Sequence, residues 1–482
     1  MIEWLGSFLQ WFFIIYVLCM NLGYLTLNIS SLLSILKYMQ TRNFESFVGI
    51  SADFMPPISI LVPAFNEENT IETTVRSLLQ LDYPQFEVLV INDGSKDRTL
   101  QTLIAAFDFQ PFPEAYRVRV PIKQPIKGIY CSAEHVNLRI VDKENGGKAD
   151  SLNAGINACR YPLFCCVDAD SILQRESLKR VVKPFMEDPR TVASGGTVRI
   201  ANGCTVKGGF LVNVSLPSNF LALVQIVEYL RAFLFGRLGW SPFNALLIIS
   251  GTFGVFHKET VISAGAYRTD TIGEDMELVV RLHRHLRLTG KPYRITFVPD
   301  PVCFTEAPED IKVLRNQRIR WQQGLSESLS VNIALLFNRR AGVVGWFAFP
   351  FMVIFEWMGP IIEFGGYLFM IVGLIFDMIS LQGFMAFFIL SVSLSMLISV
   401  TALMLEEMSF HVYKGVKNIL LLFLVTIVEN LGYRQLNSYW RLIGLYRWAR
   451  GKEGKWGDMN RSGSWGQNQT HINKKTPGQF SS

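Results

Sequence analysis

Three hydrophobic patterns follow one another along the chain. From Trp4 to Leu36 the sequence is apolar and carries no charge. This run is far longer than a signal-peptide core and predicts a helix that stays in the membrane. Between about Pro57 and Pro308, short β-branched runs such as ISILVP, FEVLVIND and LFCCVDAD alternate with helical stretches such as TIETTVRSLLQ and KADSLNAGINACR. That alternation predicts an α/β domain built on a mostly parallel sheet. From about Gly342 the chain turns apolar again, with spanning candidates at roughly 361–381, 383–405 and 415–433 and a shorter one at 343–358.

Charge places these segments relative to the membrane. Lys37 and Arg42 follow the first apolar run, and the later stretch RQLNSYWRLIGLYRWARGKEGKW is strongly basic, so the positive-inside bias puts both in the cytosol. An even number of crossings must then follow the α/β domain, which counts 343–358 as a crossing; a re-entrant or interfacial segment there is the alternative. The stretch from Ala222 to Phe256 is apolar but interrupted by Glu228, Arg231 and Arg237, and predicts an amphipathic helix under the membrane rather than a span. The expected division is an anchor at 1–50 and a cytosolic domain at 51–340, with interfacial helices at about 222–256 and 310–340. Membrane helices at 341–435 and a basic cytosolic tail at 436–482 complete a multi-pass plasma-membrane protein. The polar end, 468–482, reads as disordered.

Composition agrees. At 482 residues the chain exceeds one ordinary core, and 50% hydrophobic against 18% charged residues fits a membrane protein carrying a soluble domain. The net charge of +6 gathers beside apolar segments and in the tail rather than in a nucleic-acid-type patch, so no nucleic acid partner is expected. Seven cysteines show no CxxC spacing, which indicates neither a zinc site nor a disulfide framework.

The candidate chemistry lies in six short clusters. Val62–Glu68 (VPAFNEE) ends one predicted strand, and Asn92–Ser95 (NDGS) ends the next. Ligands of open α/β sheets bind at such strand ends, and a carboxylate there accepts hydrogen bonds from a base or ribose. Taken alone, NDGS reads as a β-turn. Asn145–Asp150 (NGGKAD) delivers Lys148 to a helix start, where it would neutralise a diphosphate, although glycine–lysine turns are common. Asp168 and Asp170 in VDAD place two carboxylates at a strand end, an arrangement relieved by Mg²⁺ or Mn²⁺ with substrate phosphates, with a structural turn as the poorer alternative. Gly273-Glu274-Asp275 opens a helix and is either a cap or a general base that deprotonates an acceptor hydroxyl. Gln317–Trp321 (QRIRW) is either a basic surface helix or an indole–arginine pair suited to a sugar ring and a diphosphate.

The ordered set is more specific than any member. It resembles the processive family 2 glycosyltransferases (cellulose, chitin, hyaluronan and poly-N-acetylglucosamine synthases) over roughly residues 55–330. That resemblance implies a GT-A-like fold with Ala64, Phe65, Glu67 and Asp93 around the uridine, Phe65 standing where the family often has tyrosine. It implies Lys148 and Asp168 on the diphosphate, Asp170 with Asp168 on the metal, and Asp275, with Glu274 beside it, as the catalytic base. Gln317, Arg320 and Trp321 would close over the diphosphate and hold the acceptor, with Ser250–Gly254 (SGTFG) as an acceptor-side loop. Trp456, Gly457 and Arg461 resemble the gating segment of hyaluronan synthases at a different spacing. The implied reaction is inverting, metal-dependent polymerisation of a UDP-sugar, with UDP-N-acetylglucosamine the favoured donor, and export of the growing polysaccharide through the bilayer. A small accessory membrane subunit is left open. The rival readings are transfer of one sugar to a polyprenyl-phosphate or other lipid, and a transport or scaffold protein with a non-catalytic nucleotide-binding domain.

Overall fold

The computed structural model describes residues 2–45, 55–207, 209–376 and 378–451. Trp456, Gly457 and Arg461, and the polar end from residue 468, lie outside the described residues.

The alternating segments form a ten-stranded sheet. At its centre, Leu138–Lys143, Phe86–Asp93, Ile58–Ala64 and Leu163–Val167 run parallel, side by side. Helices cover both faces, so these strands need nearly continuous apolar runs: Ile60, Leu61, Val62, Val88, Leu89 and Val90 are all fully buried. Because the four strands are parallel, the ends bearing FNEE, NDGS, NGGK and DAD open on one edge of the sheet.

Beyond Leu163–Val167 the expectation of a mostly parallel sheet fails. Phe253–His257 lies antiparallel between Leu163–Val167 and Thr191–Ile200, and the whole sheet has four parallel and five antiparallel pairings. The reason is topological. Thr191–Ile200 ends at the same edge as the motif-bearing strands, and the chain stays at that edge until it re-enters as Phe253–His257, which must therefore run the other way. The same connection corrects the reading of residues 222–256 as one interfacial helix. A helix over Phe220–Leu230 widens into a π turn over Arg231–Arg237, and the end of the stretch is sheet strand. Asn219 starts that helix by accepting hydrogen bonds from the Leu221 and Ala222 amides at 2.8 and 3.3 Å.

Among the described residues three helices are long and apolar enough to cross a membrane: Gly6–Gln40, Leu381–Ser409 and Val416–Ala449. The stretches at 343–358 and 361–381, expected as two crossings, are the halves Val344–Trp357 and Gly359–Ile375 of one pair bent by 46°. Pro360 at the start of the second half fits the break, since proline has no amide to continue the ladder. This bend matches the re-entrant alternative or a single broken span. The basic stretch after 433 continues as a helix, Arg434–Ala449, and packs on the QRIRW-bearing helix Ile311–Val331.

Ile311–Val331 also crosses the start of Glu274–Leu288 at backbone contact: a Cβ on Gly324 would lie 2.9 Å from the Gly273 Cα. Glu327 accepts the Ile272 amide at 2.7 Å beside this crossing. Gly324→Ala would gain helix propensity but force the two backbones apart, a net cost of about 1–3 kcal/mol. A lower thermal midpoint in detergent together with reduced turnover is expected; an unchanged midpoint would show that the crossing is not tight.

Candidate active site

The loops at the sheet edge brace one another. The Asn66 amide donates to Ser95 Oγ at 3.1 Å, Asn66 Oδ1 accepts the Lys96 amide at 2.8 Å, and the Glu68 carboxylate accepts the Arg98 amide at 3.0 Å. NDGS is therefore one half of a reciprocal clamp rather than an isolated turn. Within it, Ala64 is buried, the Phe65 ring is 39% exposed, and Glu67 accepts the Thr70 hydroxyl at 2.7 Å.

Asp93 is buried behind this clamp. Sheet register sets it beside Lys143, whose ammonium reaches Asp93 at 2.8 Å and Asp150 at 2.9 Å. The two Asp93 oxygens also accept the amides of Gly146 and Gly147 at 3.0 and 2.8 Å. This carboxylate thus builds the turn that carries Lys148. Only glycine fits at 146, where a Cβ would fall 2.1 Å from Asp150 Oδ2.

Lys148 and Asp168 meet at 2.5 Å, and Glu274 lies 3.6 Å from the same ammonium. Burial alone would lower the Lys148 pKa, but Asp168 and Glu274 overcome it and hold the ammonium above its ordinary range. Burial pushes the Glu274 carboxyl up to about 7; Lys148 pulls it back and Asp275 adds to the rise. The two carboxylates of GED therefore differ. Glu274 is 5% exposed and approaches the lysine, whereas the Asp275 Oδ2 is held by the Gly251 amide at 2.9 Å; both residues line the cavity. The SGTFG loop thus positions the candidate base.

Lys148, Asp168, Asp170, Glu274 and Asp275 line one cavity of about 810 Å³. Gln317, Arg320 and Trp321 line it as well, whereas Ala64, Phe65, Glu67 and Asp93 stand outside its wall. Arg318 stacks on Trp321, its guanidinium carbon 4.4 Å from the ring centroid, and donates to Glu228 at 2.5 Å. The cavity continues past Trp321 to Glu363, Ser395 and Glu429 on the apolar helices. Sequence reasoning missed Lys143 and the membrane-side pairs Arg231–Glu429 and Arg441–Glu356. Ionisable residues inside apolar segments were the available signal.

Among the described residues no group of three or more metal-ligating side chains occurs. Asp168 and Asp170 supply hard oxygen donors at the cavity wall, which suits a Mg²⁺- or Mn²⁺-type ion that completes its shell with water and substrate phosphate. The residues present fit such an ion.

This geometry, with paired carboxylates, a lysine and a further carboxylate around one cavity at a sheet edge, suits a group-transfer enzyme acting on a phosphate-activated substrate. The model of the family described as Glycosyltransferase like family 2 matches residues 56–324, more than half of the chain, and the protein belongs to that family of glycosyltransferases. It is similar to the poly-beta-1,6-N-acetyl-D-glucosamine synthase of Staphylococcus aureus, 32% identical over 283 residues, 58% of this chain and 57% of that protein. The synthase of the same name from Staphylococcus epidermidis is 30% identical over 273 residues, 56% of this chain and 55% of the relative. The matched region thus spans little more than half of each relative. Among solved structures, a mannosyltransferase from Pyrobaculum calidifontis in complex with GDP-Man and Mn²⁺ is 17% identical at a TM-score of 0.46, covering 90% of this chain and 100% of that one.

Glu274 carries a pH signature. The fold retains its proton from about 4.5, the ordinary value, up to about 7, so its stabilising contribution is full below 4.5 and lost as pH rises through 7. Glu274→Gln, which mimics the protonated form, should raise the thermal midpoint relative to wild type more at about pH 8 than at about pH 5. An equal difference at both pH values would show that Glu274 is not held neutral.

Proposed function

We propose that the protein polymerises a UDP-sugar, UDP-N-acetylglucosamine, into a β-linked polysaccharide and passes the chain through the membrane from a cytosolic active site. The observation that carries this reading is the single cavity reaching from Lys148 and Asp275 past Trp321 to Glu363, Ser395 and Glu429 among the apolar helices. A transferase that released each product to water would not need its cavity to extend between those helices.

The chemistry follows from the residues. An acceptor hydroxyl attacks the anomeric carbon from the side of Asp275 and gives its proton to that carboxylate. The bond from the anomeric carbon to the phosphate oxygen breaks, and UDP leaves with the electron pair. One displacement inverts an α-linked donor to a β-linkage. Lys148 meets the charge developing on the diphosphate, and a divalent ion on Asp168 and Asp170 would add Lewis-acid stabilisation there. Phe65 offers an exposed ring for the uracil at the edge of the loop clamp.

The charge on the walls supports an uncharged polymer. On the membrane side, Glu228, Glu356, Glu363 and Glu429 are balanced by Arg231, Arg318, Arg434 and Arg441. Most are joined in pairs, with Arg318–Glu228 at 2.5 Å and Arg441–Glu356 at 2.9 Å. The name of the Staphylococcus relatives supports the same sugar. Lys37, Arg42 and the basic residues around Arg447 and Arg450 support a cytosolic placement of the domain.

Purified protein given a panel of UDP-sugars with Mn²⁺ or Mg²⁺ is expected to release UDP and form high-molecular-weight product from UDP-N-acetylglucosamine, and to stop when the ion is chelated. Asp275→Asn should lower kcat roughly 10²- to 10⁴-fold, the usual worth of a general base, with little change in thermal midpoint. Release of UDP with only small or lipid-soluble product would favour single transfer to a carrier.

A further inference from the structure

Arg237 has no part in the reaction as described, yet it is among the residues that line the active-site cavity. Its position is built by the π turn over Arg231–Arg237. At one end of that turn Arg231 is clamped by two hydrogen bonds to Glu429 and a third, of 2.6 Å, to Ser399, both on membrane-side helices. At the other end the Arg237 guanidinium carbon lies 3.7 Å from the centroid of Phe233, a buried ring that fixes the plane of the fork. Among the described residues no hydrogen bond or ion pair holds this guanidinium, and its Nη1 is buried without a partner. Burial pulls its pKa down to about 10 while the field of Asp275 pulls it up, so it is charged at neutral pH and lies within electrostatic reach of the candidate base.

A desolvated, pinned cation with open N–H edges calls for acceptor atoms from a ligand. The diphosphate is met at Lys148, beside Asp168 and Glu274. Arg237 instead belongs to the segment that runs from the base toward the membrane-side helices, where the acceptor must lie if it is to present a hydroxyl to Asp275. Gln317 Oε1, also buried without a hydrogen-bond partner, lines the same cavity and offers the complementary acceptor.

We propose that Arg237 is a substrate-contacting residue of the acceptor site, donating hydrogen bonds to the hydroxyl and acylamido oxygens of the terminal sugar that attacks the donor. The assignment rests on the transfer reading above. Its guanidinium fixes the sugar so that one hydroxyl points at Asp275; that O–H proton passes to the carboxylate as the new carbon–oxygen bond forms and UDP departs. A planar fork spans two neighbouring oxygens, which a lysine ammonium does not reproduce.

The test separates acceptor use from donor use. Wild type, Arg237→Met and Arg237→Lys are given UDP-N-acetylglucosamine with and without a short N-acetylglucosamine oligosaccharide, and transfer to the oligosaccharide is measured beside hydrolysis of the donor. Loss of hydrogen bonds from a charged donor should lower the transfer-to-hydrolysis ratio roughly 10- to 100-fold in Arg237→Met and raise KM for the oligosaccharide, with Arg237→Lys between the two. Equal loss of both activities, or a raised KM for the donor alone, would overturn the assignment, as would an unchanged ratio. Wild-type protein that releases no UDP would overturn the transfer reading itself and Arg237's role with it. Gel filtration and the thermal midpoint of each variant distinguish a lost contact from a lost fold.

Discussion

Charge taken out of water has to be met by opposite charge, and the working parts of this molecule are held in place by such meetings. Lys143 sits fully buried between Asp93 and Asp150, and through Asp93 it fixes the glycine turn that presents Lys148. Lys148 in turn sits between Asp168 and Glu274, which joins the end of a parallel strand to the start of the GED helix. Removing one partner from any of these groups would leave a buried charge uncompensated, so the NDGS, NGGKAD, VDAD and GED motifs form one coupled unit rather than four independent ones.

The same constraint extends into the membrane-side helices. Glu228 holds Arg318, on which Trp321 stacks, and also accepts from Tyr433 at 3.2 Å. Arg231 pairs with Glu429, and at Leu431 and Gly432 the helical path is broken by non-helical backbone angles. Trp321, the helix over Phe220–Leu230 with its π turn, and the break in the last apolar helix are therefore tied together through these pairs. A shift of the QRIRW helix would therefore be felt at the membrane-side helices.

Much of this was legible in the sequence because the motifs are local. Each of FNEE, NDGS and DAD ends a strand that its own apolar run announces, and parallel pairing then brings the three together; the strand before NGGK, Leu138–Lys143, carries Arg139, Asp142 and Lys143 and was not announced in that way. The residues of GED and QRIRW were legible as candidates, but their division of labour was not. Which of Glu274 and Asp275 meets Lys148 and which is held by the Gly251 amide depends on groups that approach from other elements. The antiparallel entry of Phe253–His257 was hidden by an apolar composition that strand and helix share. Arg231 and Glu429 are separated by 198 positions, and only the fold makes them partners. The bend at Trp357–Gly359 was half legible, since parity demanded an even number of crossings but could not say which segment would break.

Sugar is proposed to leave the active site along the cavity that enters the helices. A cryo-electron microscopy map of the protein after incubation with UDP-N-acetylglucosamine and Mn²⁺ tests it directly. Expected is an oligosaccharide whose end lies at Asp275, stacked on Trp321, and continuing between the Arg231–Glu429 and Arg441–Glu356 pairs. A sugar chain that leaves Asp275 toward the solvent face of the sheet, with the space between those pairs empty, would contradict it.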